Sequence, residues 1–144
     1  RTFSSATRRI PSASSEPVGE PTPTRVDVTG EAASLVRRLT GVHGPVMFHQ
    51  SGGCCDGSAP MCFPDGDFIV SDADVHLGDL HVGLDRDVPV FMSVAQFAYW
   101  RYTHLTIDVV PGRGAGFSLE APEGVRFIVR SRMLTEPELA VLEP

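Results

Sequence analysis

An α+β domain, strand-rich, with a mixed sheet or sheets and a few short helices, is the fold class this sequence predicts. Three observations predict it. Apolar spacing of helical type is confined to short stretches near the two ends and one in the middle. Between them lie short apolar or alternating runs bounded by Gly and Pro, the pattern of strands and turns. The 144 residues suit one core, on a prior of ~100–200 residues per domain.

Residues 1–25 are rich in Ser, Thr, Pro and Arg, with Phe3, Ile10 and Val18 as their bulky apolar residues. They cannot bury enough surface to order themselves, so residues 1–25 read as a flexible tail and 26–144 as a single globular domain. Thr29 is a helix N-cap, Glu31 falls in the first turn, and Ala32, Leu35, Val36 and Leu39 recur at helical spacing. Arg37 and Arg38 then suit the last turn of a helix of about three turns stopped by Gly41.

After Gly44-Pro45, Val46 to Gln50 reads as a strand with Val46 and Phe48 on one face and Met47 and His49 on the other. Met61 to Phe63 and Phe68 to Val70 flank Pro64-Asp65-Gly66, which predicts a hairpin. Ser71 to Asp87 reads as an acidic, irregular loop with Val75, Leu77, Leu80 and Val82 dipping inward. Its His76 and His81, among Asp72, Asp74, Asp79, Asp85 and Asp87, make it a second place to look for zinc or iron(II).

Val88 to Met92 is a strand whose Pro89 predicts an edge position at its start. Ser93 and Gln96 form a capping box that opens a short aromatic helix, and Tyr99, Trp100, Tyr102 and His104 divide between core packing and a pocket lining. Leu105, Ile107 and Val109 alternate as a half-buried strand, and Phe117 to Glu120 alternates similarly, which argues against a phosphate loop at the preceding glycines. Val125 to Arg130 is the last strand, and Thr135 and Glu138 cap a terminal helix.

Composition narrows the function. Hydrophobic content of 42%, charged content of 21% and no apolar run near the roughly 20 residues of a membrane span describe a soluble chain with no membrane role. A net charge of -6 and no basic, aromatic stripe exclude nucleic acid as a partner. Arg1, Arg8 and Arg9 lie among serines, but no apolar core of a secretory signal follows. All three cysteines fall between positions 54 and 62, an odd and clustered set unlike a secreted disulfide framework, and so a cytoplasmic location is expected.

Those cysteines mark the chemistry. His49-Gln50-Ser51-Gly52-Gly53-Cys54-Cys55-Asp56-Gly57 leads on to Cys62. Glycine-rich turns present backbone N–H groups that favour thiolates, and their flexibility lets adjacent cysteines address one centre. Cys54, Cys55, Cys62 and His49 make a candidate metal set of one nitrogen and three sulfurs, suited to zinc, iron or an iron–sulfur cluster. The competing readings are a buried structural Cys62 and a His49 that only hydrogen-bonds.

Two resemblances follow. Gly44 to Ser58, with Leu105 to Gly114 and Gly116 to Gly124, resembles domain-of-unknown-function family 779 over roughly residues 26–135. Its members are often encoded beside aldehyde dehydrogenases, which implies an aldehyde dehydrogenase partner. More distantly, the capped helix, the strand, the Gly-Gly-Cys turn, the Ile-Asp strand and the Gly-Phe-x-Leu segment are similar to the HesB-like A-type iron–sulfur carriers. That likeness implies a HesB-like fold with Cys54 as first ligand. The family's later Cys-x-Cys pair falls near Ile128 and Arg130, which do not ligate, leaving Cys55 and Cys62 as substitutes.

The expectation is an accessory protein of aldehyde dehydrogenase metabolism, a homo-oligomer with a metal or redox-active thiol site at the turn. The alternatives are a small thiol-dependent enzyme acting on an aldehyde or thioester, with His49 as base, and a purely structural partner subunit.

Overall fold

The computed structural model describes residues 23–50, 57–113 and 118–143. It is a mixed α+β fold of seven strands in two sheets with three short helices. In chain order the elements are β1 (Val26–Val28), α1 (Gly30–His43), β2 (Val46–Gln50), β3 (Met61–Pro64), β4 (Asp74–Leu80), β5 (Val88–Ser93), α2 (Val94–Trp100), β6 (Thr103–Pro111), β7 (Val125–Met133) and α3 (Glu136–Leu142). One sheet has the order β1-β6-β7 and the other β3-β2-β5-β4.

Helix α1 starts where the sequence places it. The Thr29 hydroxyl accepts from the Ala32 N–H at 3.2 Å and donates to Asp108 Oδ1 at 2.9 Å, while Thr29 N–H donates to Ile107 O, so β6 fixes the helix entry. The helix runs past Gly41 to His43. A glycine inside a helix costs only about 1 kcal/mol relative to alanine. The stop comes from Gly44, whose φ of 81° is left-handed and whose N–H closes on Thr40 O. Ala32, Leu35, Val36 and Leu39 are buried together with Val46, Phe48, Leu105, Ile107, Phe127 and Val129, which places the core between helix and sheets. At its centre Phe48 and Phe127 meet edge to face, 4.8 Å between ring centres, and join the two sheets.

The four-stranded sheet corrects three expectations. Met61–Pro64 pairs antiparallel with β2, not with 68–70, so the hairpin spans the cysteine turn and Phe68 to Val70 is not a strand. The acidic stretch contains a seven-residue strand, β4, paired antiparallel with β5. Its register shifts between His76 and Gly78, which breaks simple alternation: Leu77 and Leu80, three apart, both face the core. A Cβ at Gly78 would lie 3.1 Å from Val26 Cγ2, so this bulge is a second place where the two sheets touch. Third, β5 as a whole lies between β2 and β4, and the edge that Pro89 predicts is confined to its start. Pro89 is tolerated because the parallel ladder to β2 begins at Val90, leaving Pro89 opposite Asp79 of β4 alone.

In the three-stranded sheet, β6 runs parallel to β1 and antiparallel to β7. Strand β7 extends to Met133, three residues past the expected end. Ser118 to Glu120 is a turn, not a strand, and it runs into a single 3-10 turn over Ala121–Glu123. The alternation of Ser118, Leu119 and Glu120 is misleading because Glu120 is itself buried, 1% exposed. Helix α3 has the expected capping box, with Thr135 and Glu138 bonding each other's backbone N–H. Of the expected tail, residues 1–22 lie outside the described residues. Arg25 belongs to the fold: it donates to Arg101 O and Leu142 O and pairs with Glu143.

Candidate functional site

Strand register decides which candidate side chains can meet. Directly opposed residues in a ladder share a face of the sheet. Phe48 opposes Cys62 and Val90, and all three are in the core. His49 opposes Met61 and Phe91, so it projects from the outer face. His49 and Cys62 therefore stand on opposite faces, and the structure does not bring them together.

The outer face is nonetheless enclosed around His49. Its Nε2 lies 2.7 Å from Asp74 Oδ1, with side-chain exposures of 3% and 8%. Asp74 reaches across β5 from the start of β4, where it opposes Ser93. Its other oxygen, Oδ2, accepts from Ser71 N–H at 3.1 Å, and Asp74 N–H returns to Ser71 O at 3.0 Å. The hydrogen bond to His49, then the one from Ser71, holds the Asp74 carboxyl below its ordinary range against the opposing effect of burial. Phe68 covers the imidazole, 4.2 Å between ring centres, and itself stacks on Phe63 at 5.4 Å. The segment after β3 thus forms an aromatic cover over His49.

Cys62 occupies a different environment. It is fully buried, and burial followed by the nearby Glu120 carboxylate pushes its thiol well above the ordinary range. Cys62 N–H donates to Ser118 Oγ at 2.9 Å, Leu119 N–H donates to Cys62 O at 3.0 Å, and Ser118 Oγ donates to Glu120 Oε1. Glu120 Oε2 accepts from Phe127 N–H at 3.1 Å. This network ties the β3 edge to β7, and Cys62 in it is a protonated core thiol.

Cys54 and Cys55 lie outside the described residues. The feet of their turn are described. On one side His49 and Gln50 end β2, both buried. On the other, Gly57 N–H donates to Val129 O at 2.7 Å and Val129 N–H donates to Ser58 O at 2.8 Å. Gly57 and Ser58 are therefore pinned to β7 at Val129, between Ile128 and Arg130.

Among the described residues, no three His, Cys, Asp or Glu side chains are grouped as metal ligands. In the acidic stretch the histidines form pairs, His76 with Asp79 and His81 with Asp87, each at 2.8 Å and exposed. Of the aromatic set, Trp100 is buried in the core, His104 is buried, and Tyr99 and Tyr102 are exposed. Burial, then the Arg132 charge, lowers the His104 imidazole from its ordinary range. Cavities of about 220 Å³ beside Thr40, Val46 and Leu84, and of about 260 Å³ beside Leu35 and Val125, are lined by none of these aromatics, nor by His49 or Cys62.

Sequence reading named Asp74 only among the acids around His76 and His81 and missed its pairing with His49. A signal was present: Ser71-x-x-Asp74 is the spacing of a turn that directs a carboxylate back onto a backbone N–H. The partner 25 positions upstream has no local signature.

No helix of the described residues is long and apolar enough to cross a membrane. A search of curated proteins finds no match. The family model for a domain of unknown function, DUF779, matches residues 35–133, more than half of the chain and a span running from α1 through β7. The chain belongs to the DUF779 family.

Proposed function

We propose that this is an accessory protein of aldehyde dehydrogenase metabolism that carries a metal ion or a redox-active thiol at its Gly-Gly-Cys-Cys turn. The observation that carries the reading is the fixing of both feet of that turn, by buried His49 on β2 and by the Gly57–Ser58 bonds to Val129 on β7. Residues on both sides of that turn are thus fixed, and a turn that brings Cys54 and Cys55 to His49 would set two sulfurs beside one nitrogen, a ligand set suited to zinc or iron. The likeness to HesB-like carriers is supported by the bonds of Gly57 and Ser58, which follow the cysteine turn, to Val129 of the last long strand, between Ile128 and Arg130. Cys62, buried in the core, serves the fold in this reading and is not a ligand.

The aldehyde dehydrogenase partner follows from the family resemblance. A cytoplasmic homo-oligomer is the accompanying proposal, supported by the clustered cysteines and by apolar side chains left exposed at Tyr99, Met133 and Val141.

A second reading draws on the His49–Asp74 pair. A thiolate at Cys54 or Cys55, an imidazole base and an orienting carboxylate would suit attack on an aldehyde or thioester carbonyl. Anaerobic purification with metal analysis, repeated on Cys54→Ser and Cys55→Ser, separates the two. Stoichiometric metal lost in either variant supports the carrier; a metal-free protein with one hyperreactive thiol supports the enzyme. A metal-free protein with ordinary thiols overturns both. Co-purification with an aldehyde dehydrogenase tests the partner.

A further inference from the structure

At the opposite end of β2 from His49, a cavity combines an apolar lining with charge of one sign. We propose that this cavity is a binding site for a small, free aliphatic amine that carries a second hydrogen-bonding group, as an amino alcohol does. The inference is independent of the function proposed for the cysteine turn.

Several segments build the cavity. The last turn of α1 brings Thr40, the stop at Gly44 brings Pro45 and Val46, and the connection from β4 to β5 brings Leu84 to Val88. Asp65 closes the circle, because its N–H donates to Pro45 O at 2.8 Å. The volume of about 220 Å³ falls below the ~300–1,000 Å³ of pockets for drug-sized ligands, so a short chain fits. Pro45, Val46, Leu84 and Val88 supply apolar surface for that chain.

The polar lining selects the ends of the ligand. Asp65, Asp85 and Asp87 are set against one cation, Arg86, whose guanidinium is already paired with Asp65 at 3.0 Å. Asp87 is paired with His81 at 2.8 Å. Asp85 is exposed and has no ion-pair partner among the described residues, so the rim offers a carboxylate to an ammonium group and repels an anion. No aromatic ring is among the lining residues, so an ammonium with N–H donors suits the site better than a quaternary one held on a ring face. Thr40 supplies the second contact. Its Oγ1 is buried and has no hydrogen-bond partner among the described residues, although a helical threonine is able to bond back to the preceding turn. A hydroxyl both donates and accepts, and a polar group at the far end of the ligand would satisfy it. The other cavity carries Glu31 and Arg38, one charge of each sign, and selects neither. The 144 residues include no lysine, so a second copy has no lysine ammonium to place there.

The test is a backbone amide NMR titration of the full chain, at neutral pH and low ionic strength, with aminopentanol, pentylamine, pentanol, pentanoate and acetyl-lysine methylamide. Aminopentanol is expected to bind saturably, with a Kd of about 1 mM or tighter, and to shift the amides of Thr40, Val46 and Leu84 to Val88. Pentylamine should bind about threefold to tenfold more weakly, and pentanoate not at all. Asp85→Asn should weaken aminopentanol about fivefold and leave pentanol unchanged. Thr40→Val should bring aminopentanol down to the level of pentylamine, and it should not unfold the chain, because it removes an unsatisfied hydroxyl at nearly constant shape. The site is overturned if no saturable shift appears at these residues, if pentanoate binds as well as pentylamine, or if folded Asp85→Asn binds aminopentanol like the wild type. Preferential binding of acetyl-lysine methylamide would overturn the free amine and assign the cavity to a lysine side chain of a partner. None of these readouts involves a metal or a thiol, so the Cys54→Ser and Cys55→Ser variants test the cysteine turn separately.

Discussion

His49 and Cys62, on neighbouring strands, face opposite sides of the four-stranded sheet: Cys62 opposes Phe48 in the core, and His49 opposes Met61 on the outer face. Cys62 is thereby kept away from the face on which His49 stands. Cys62 is buried, and its thiol is held protonated by burial and by Glu120. It should resist alkylation in the native protein and react only on unfolding, as quantitative labelling with and without denaturant would reveal. Cys62→Ser should cost about 1–3 kcal/mol by burying a hydroxyl, with no effect on metal content. Rapid native labelling at Cys62 would contradict the placement.

Glu120 is the polar link between β3 and β7. Glu120→Ala would orphan the Phe127 N–H and the Ser118 hydroxyl inside the core, a loss of about 2–4 kcal/mol. Glu120→Gln keeps one acceptor and should lose about half as much. Urea denaturation of the two variants measures the difference, and equal losses would show that the network is not what holds the strands.

Arg25 ties the segment before β1 to the end of α3. Its guanidinium donates to Arg101 O and Leu142 O and pairs with Glu143, which Arg101 also holds. Arg25→Ala should destabilise by about 2 kcal/mol. Amide exchange should quicken most in α3, and uniform quickening across the sheets would contradict a local clamp.

Two carboxylates predict the acid limb of stability. His49 and then Ser71 hold Asp74 below its ordinary range, and Arg132 and then Thr135 bring Glu138 down to about 2. Both are lower in the folded than in the unfolded chain, so both stabilise fully above the unfolded values, about 4 to 4.5, and that stability is lost as pH falls through the folded ones. For Glu138 the window runs from roughly pH 4.5 down to 2. Asp74→Asn and Glu138→Gln should each flatten the fall of stability below pH 5, as urea midpoints at pH 7, 5 and 3 would record. A wild-type slope in both variants would remove this assignment.

Much of the fold was legible because local signals agreed with it. The Thr29 cap, the Ser93 cap and the Thr135–Glu138 box each open the helix they predict. Misreadings fell where tertiary contacts override local pattern. The bulge at Gly78 breaks the alternation that would have revealed β4, and the buried Glu120 mimics an outward-facing strand residue. Pro89 signals an edge, yet only the outer end of β5 behaves as one. At the candidate site, His49 at the mouth of the turn was readable from the strand pattern. Its partner Asp74 was not, because the pair forms across β5 between strands that touch only after the sheet assembles.

The most direct test of the proposed site is the metal content of anaerobically purified protein, compared among the wild type, Cys54→Ser, Cys55→Ser and Cys62→Ser. The account predicts about one equivalent of iron or zinc per site, lost in Cys54→Ser or Cys55→Ser and kept in folded Cys62→Ser. Loss of metal in Cys62→Ser alone, or a wild type with neither metal nor a hyperreactive thiol, would contradict it.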